Sequence, residues 1–216
     1  MTKTLIISIF LISFGIGENI FCDADLDCFY IPAGLRGSGE YFPALIILSC
    51  TGATSKDLDS VCYIADSLRM VFATCHKSKN RRDIFLNDKD IMNTYEKLVR
   101  DYPVDGSQVF IYGFSGQGVQ VLMELFNNPK SFRGVIAACA HKGTMSMAKW
   151  QELGDKSIYL ISREKDWNLA DNRQIHSQFQ LNNIQDTLVI TPGEHVPANP
   201  KELFNACFWL LSKIEP

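Results

Sequence analysis

The stretch YGFSGQG, Tyr112 to Gly118, sets a serine between two glycines, directly after the apolar run VFIYGF and directly before GVQVLMELF. A serine hydroxyl attacks carbonyls only when a base removes its proton, and the base in turn needs an orienting partner. The chain supplies both downstream: Asp166 in REKDWN and His195 in PGEHVP. A serine on a sharp strand-to-helix turn, followed by an acid and then a histidine on later loops, is the equipment of acyl transfer. The spacing departs from G-x-S-x-G, because Gln117 stands where the second glycine is usual and Gly118 comes one residue late. Gly113 and Gly116 remain to let strand and helix pass closely, and the Gln117 side chain is expected along the helix surface or toward a pocket rim. The competing reading is a glycine-rich turn or phosphate cradle, but the chain lacks the lysine of a P-loop and the G-x-G-x-x-G spacing.

Each partner has rivals. Of the four histidines, His176 falls in an amphipathic helical pattern, and His76 and His141 precede the acid, which leaves His195 as the base. Glu164 and Asp171 lie in or near the Asp166 loop and either could serve as the acid. Asp166 is preferred for its central loop position. Asp155 precedes its strand and falls at the wrong end of a sheet.

The elements that must carry these residues are legible as alternation. PALIILSC, MVFATC, SQVFIYGF, FRGVIAACA, SIYLIS and TLVITPG read as strands. Helical spacing occurs in DLDSVCYIADSLRM, DKDIMNTYEKLVRDY, GVQVLMELF, SMAKWQEL, DNRQIHSQFQ and PKELFNACFWLLSKI. Continuous apolar strands separated by helices predict a three-layer α/β fold, a mostly parallel sheet covered on both faces. No linker or repeat divides the chain, so residues 25–216 are read as one domain.

In this order and context, YGFSGQG, SREKDWN and PGEHVPANP resemble the motifs of the α/β-hydrolase family, and within it the small lidless serine esterases of the dienelactone-hydrolase and polyhydroxyalkanoate-depolymerase type. The resemblance covers Pro43 to the C-terminus. It implies Ser115 as nucleophile, His195 as base and Asp166 as its orienting acid, acting on a small-molecule or polymer-derived ester, thioester or amide, with no cofactor and no metal. It also implies an oxyanion hole from the N–H of Gly116 and a second N–H in the loop after PALIILS. That loop reads SCTGATS, without the His-Gly usual in the family, and Thr51 is the candidate donor. These departures keep open a non-catalytic binding protein on the same fold. The family's strand order further implies that Cys50 and Cys75 sit on neighbouring strands and pair as a disulfide.

Bulk properties exclude other classes. A chain of 216 residues with 46% hydrophobic and 21% charged residues is globular, and a net charge of −3 with no long basic stripe argues against nucleic-acid binding. The densest basic run, HKSKNRR from His76 to Arg82, reads as a solvated loop. At the N-terminus, Lys3 precedes an apolar run from Leu5 to Ile16, too short to span a bilayer and of the length of a secretory signal core. A signal over residues 1–17, with a boundary as late as 24, predicts a secreted or envelope protein with no membrane span after cleavage. A buried first strand is the alternative. Seven cysteines without C-x-x-C spacing argue against a zinc ribbon and leave pairing in an exported chain open beside simple burial.

Overall fold

The computed structural model describes residues 19–214; the apolar run from Leu5 to Ile16 and the signal boundary at residue 17 lie outside them. An eight-stranded sheet forms the middle layer. Its strands are β1 (Ile20–Cys22), β2 (Cys28–Tyr30), β3 (Phe42–Ile47), β4 (Val71–Thr74), β5 (Val104–Phe114), β6 (Gly134–Ala138), β7 (Ser157–Arg163) and β8 (Gln185–Thr191). They lie in the order β1-β2-β4-β3-β5-β6-β7-β8. From β4 to β8 every pairing is parallel, and β1 and β2 add an antiparallel hairpin at one edge. The expected α/β class holds.

Both faces of the inner parallel strands are buried because helices cover both, which is why those strands read as apolar runs, while β8 at the far edge is only partly covered. On one face α3 (Ile84–Asp101), α4 (Gly116–Asn127) and α5 (Leu169–Leu181) bring Ile91, Leu98, Val121, Leu125, Ile175 and Phe179 onto Ile46, Val109, Ile111, Val135 and Leu160. On the other, α1 (Ser55–Asp59), α2 (Cys62–Leu68) and α6 (Pro200–Leu211) bring Leu58, Ile64, Leu203 and Leu210 onto Leu45, Phe110, Ile136 and Ile161. Among the described residues no helix is long and apolar enough to cross a membrane.

Three expectations change. The helix read over Asp57–Met70 is two helices, broken at Ser60–Val61, where α1 ends and Val61 leaves the helical region with ψ near 1°. SMAKWQEL forms short 3₁₀ turns, Lys142–Met147 and Trp150–Glu152. The Cys50–Cys75 disulfide does not form, and both thiols are free. The register pairs Ile47 with Thr74, and the Cys75 N–H donates to Ile47 O, so Cys50 lies beyond its neighbour's level. Cys75 turns into the α3 core, while the Cys50 thiol donates to Phe114 O at 3.3 Å. The disulfide that does form joins Cys22 to Cys28, directly opposed across the edge hairpin.

Peptide mapping without reduction is expected to recover Cys22 linked to Cys28. Native alkylation should reach the partly exposed Cys50 and Cys62, while the buried Cys75, Cys139 and Cys207 react only after unfolding.

Candidate active site

Parallel strands deliver their loops to one end of the sheet, and the predicted site residues all leave at that carboxyl end. Ser115 is the single residue between β5 and α4, with φ 57° and ψ −120°. That conformation costs about 1–3 kcal/mol for a residue with a side chain and is held by its surroundings. The Ser115 N–H donates to Ala138 O at 2.8 Å, and its own carbonyl accepts from the Val119 N–H. A side chain at Gly113 would fall on Gln117 O, and one at Gly118 would come within 2.9 Å of Ala138 O. The late glycine therefore does what the motif demands: it lets α4 lie against β6.

His195 sits in the loop after β8. Its Nε2 faces Ser115 Oγ at 2.8 Å, and its Nδ1 faces Asp166 Oδ1 at 2.8 Å. Ser115, His195 and Asp166 thus form one hydrogen-bonded chain across residues 80 and 29 positions apart. The Asp166 side chain is fully buried and that of His195 is 7% exposed. The rival acids lie elsewhere: Glu164 is exposed, and Asp171 pairs with Lys142. Burial works to raise the Asp166 pKa, but the neighbouring Cys139 thiol, the hydrogen bond from the Asn168 N–H and that with His195 outweigh it and hold the carboxyl below the ordinary range. The Cys139 thiol is itself pushed up to about 12 by burial and by Asp166, so it stays protonated, and it donates to Val196 O at 3.6 Å.

Two contacts with His195 escaped the sequence reading. Trp167, 75% exposed, stacks on the imidazole with centroids 3.8 Å apart and planes at 21°. Phe114 packs on it at 4.8 Å in a tilted arrangement. Cys139 was missed as well; its thiol also faces Val196 O, beside His195. Only adjacency in sequence pointed to Trp167 and Phe114, and nothing in sequence pointed to Cys139, which follows a different strand.

The N–H groups of Thr51 and Gly116 have no acceptor among the described residues, and Gly116 opens α4, whose N-terminus carries positive partial charge. Gln117 departs from expectation. It is 1% exposed, and its amide oxygen accepts from Ser78 Oγ at 2.7 Å. Its side chain points away from β5 but into the His76–Arg82 loop, which is therefore packed against the elbow and not freely solvated. Replacing it with glycine would empty that contact, so position 117 is not a neutral site.

A cavity of about 280 Å³ lies beside the site, lined by Cys50 and Phe114, the neighbours of Thr51 and Ser115, and by Pro197 and Ala198 of the His195 loop, with Val61 and Leu203 on its walls; Ser115 and His195 themselves do not line it. A larger cavity, about 610 Å³, lies at the opposite ends of the strands around Ser107, Arg133 and Lys156, away from this chemistry.

The His195 loop is held from below by Arg163, 3% exposed, whose guanidinium grips Glu202 at 2.6 and 2.8 Å and donates to Pro197 O at 2.7 Å. Burial alone would raise the Glu202 pKa, but Arg163, the Asn199 N–H and Thr191 bring it below its ordinary value. Depressed carboxyls add stability that is complete above their ordinary values of 3.8 and 4.5 and is lost as pH falls through the lower native values. Glu202→Gln leaves a buried guanidinium without its counter-charge and is expected to cost about 3 kcal/mol at pH 7. In acid titrations followed by circular dichroism, the gap between variant and parent should close at low pH.

No protein-family model matches the sequence, and no curated protein matches it. Solved structures do. The carboxylesterase of Bacillus cereus superposes with a TM-score of 0.69 at 17% identity, over 87% of this chain and 94% of that one. The fluorophosphonate-binding serine hydrolase FphF of Staphylococcus aureus gives 0.68 at 11%, over 89% and 96%. An S-formylglutathione hydrolase from Agrobacterium tumefaciens gives 0.68 at 12%, over 91% and 94%. At these identities the likeness is one of architecture, and with the strand order and the turn at Ser115 it establishes that this chain has the α/β-hydrolase fold.

Proposed function

We propose that the protein is a serine hydrolase of carboxylesterase type that cleaves esters through an acyl-enzyme on Ser115. The observation that carries this reading is the unbroken chain Ser115–His195–Asp166 at 2.8 Å per link, on a strained serine. In the reaction, Ser115 Oγ bonds to the ester carbonyl carbon as its proton passes to His195 Nε2. The carbonyl electrons move onto oxygen, which the N–H groups of Thr51 and Gly116 receive. Asp166, kept ionised, fixes the tautomer with Nδ1–H and stabilises the imidazolium, and Trp167 and Phe114 pack the ring in place. The leaving alkoxide takes the proton from His195, and water repeats the sequence to release the acid. The fold neighbours include proteins described as carboxylesterase and S-formylglutathione hydrolase, which supports an ester or thioester substrate. The 280 Å³ cavity next to Phe114 and the His195 loop is the nearest space among the described residues for an acyl group, and its size favours a short one.

Wild-type protein is expected to take a fluorophosphonate label and to hydrolyse nitrophenyl acetate faster than long-chain esters. Ser115→Ala should abolish labelling, and Ser115→Ala or His195→Ala should lower turnover by on the order of 10⁶-fold, Asp166→Ala by about 10⁴-fold. Folded protein that takes no label would sink the hydrolase reading in favour of a binding protein.

The chain is also proposed to be exported. A Cys22–Cys28 disulfide belongs to an oxidising compartment, and it requires a mature chain that keeps Cys22. A signal ending at residue 17 preserves it, whereas a boundary as late as 24 would remove Cys22. N-terminal sequencing of protein from its host should find a start between Glu18 and Cys22; an intact Met1 would refute export.

A further inference from the structure

The geometry points to Asn80 as a side-chain hydrogen-bond donor to the substrate's carbonyl oxygen, set in place by Gln117. This rests on the proposed acyl-transfer reading and adds to it a residue outside the serine, acid and histidine loops.

Asn80 touches both halves of the oxyanion region. Its N–H donates to Cys50 O at 3.0 Å, the residue before Thr51. Its amide lies over Gly116: a Cβ there would stand 2.5 Å from Asn80 Oδ1 and 3.0 Å from Nδ2. A side chain at 116 would therefore have to push the Asn80 amide aside. The amide is oriented by a relay. Ser78 Oγ donates to Gln117 Oε1 at 2.7 Å, and Gln117 Nε2 faces Asn80 Oδ1 at 3.4 Å. With its oxygen engaged, Asn80 presents Nδ2, which has no acceptor among the described residues and belongs to a half-buried side chain. A donor left without a protein partner beside two free backbone N–H groups is what a developing oxyanion needs.

The supporting loop is fixed rather than adaptable. The His76 N–H donates to the buried Asp27 at 2.8 Å, and the His76 ring meets Ala53 O through Nδ1 at 3.0 Å. Asn87 Nδ2 donates to Lys79 O at 3.0 Å. A donor held this way costs no reorganisation when charge forms on the substrate. The unusual glutamine in the elbow then has a task that glycine could not perform.

Asn80 holds no proton that transfers. As Ser115 Oγ bonds to carbon and the carbonyl electron pair moves to oxygen, Nδ2–H donates to that oxygen, and it releases it when the carbonyl re-forms and the alcohol departs with the His195 proton. Asn80 is therefore a catalytic residue in this proposal, and Gln117 a positioning residue acting through it.

The test compares wild-type protein, Asn80→Ala, Gln117→Met and the double variant on nitrophenyl acetate, with affinity for a phenylboronic acid as a second readout. Asn80→Ala is expected to lower kcat about 10²-fold with KM within a few-fold, and to weaken boronic acid binding in parallel. Gln117→Met should give a smaller loss, and the double variant should be no slower than Asn80→Ala, since one acts through the other. Near-wild-type kcat in Asn80→Ala overturns the proposal, as does a change confined to KM or losses that multiply in the double variant. Failure of the hydrolase reading is distinct: wild-type protein itself would then neither turn over the ester nor take a fluorophosphonate.

Discussion

The chain reverses from β5 into α4 through one residue, and the rest of the molecule is arranged so that it can. Ser115 at φ 57° is uphill by itself. It persists because the strand's ladder continues past it, from the Ser115 N–H to Ala138 O, while α4 is pressed against β6 by the absence of a side chain at Gly118. Both core clusters contribute, since β5 lies in the middle of the sheet and is buried on both faces. The neighbouring strand ends in a similar way: Cys139, one residue past β6, has φ 51° and continues its ladder to Ile161 O at 2.7 Å. Two adjacent strands therefore end in left-handed residues, one carrying the hydroxyl and the other a thiol that donates to Val196 O beside the histidine.

Much of this was legible because burial on two faces leaves a strong mark. Strands β3 to β7 stand out as apolar runs, and the serine, acid and histidine order assigned the loops after β5, β7 and β8, with Asp166 chosen over Glu164 and Asp171 by its central place in its loop. What escaped notice has physical reasons. β1 and β2 are three residues each, too short for a period to show, and β2 is buried throughout. The cysteine pairing failed because strand adjacency does not fix how far each residue lies along the strand or which face it meets. The run HKSKNRR was read by its charge, yet its useful atoms are the uncharged amides and hydroxyls of Ser78 and Asn80, and their contacts span nearly 40 residues to Gln117.

Charge at the site is arranged by elements that never meet a substrate. Arg163 ends β7, and its guanidinium ties the carbonyl of Pro197 to Glu202 in the first turn of α6. Glu202 also closes the helix cap with Asn199, so a single carboxylate joins the end of a strand, the histidine loop and a helix start. The loop is tied a second time where the Ala198 N–H donates to the hydroxyl of the buried Tyr112. Two fastenings on the stretch following His195 are what allow a loop residue to hold a 2.8 Å contact with a serine on another strand.

The small disulfide hairpin has a role at the far side of the sheet. A parallel sheet ends in strands whose backbone groups invite another chain to add on. Here β4, apolar and buried along its whole length, would be such an edge, and β2 covers it through only two paired residues. The Cys22–Cys28 link holds β1 against β2, so that among the described residues the edge offered to neighbours is a three-residue strand, too short to template growth. Reduction would loosen this guard before it disturbed the core. A cell that failed to oxidise the pair would meet a folded protein with an adhesive margin, prone to assemble edge to edge long before it unfolds.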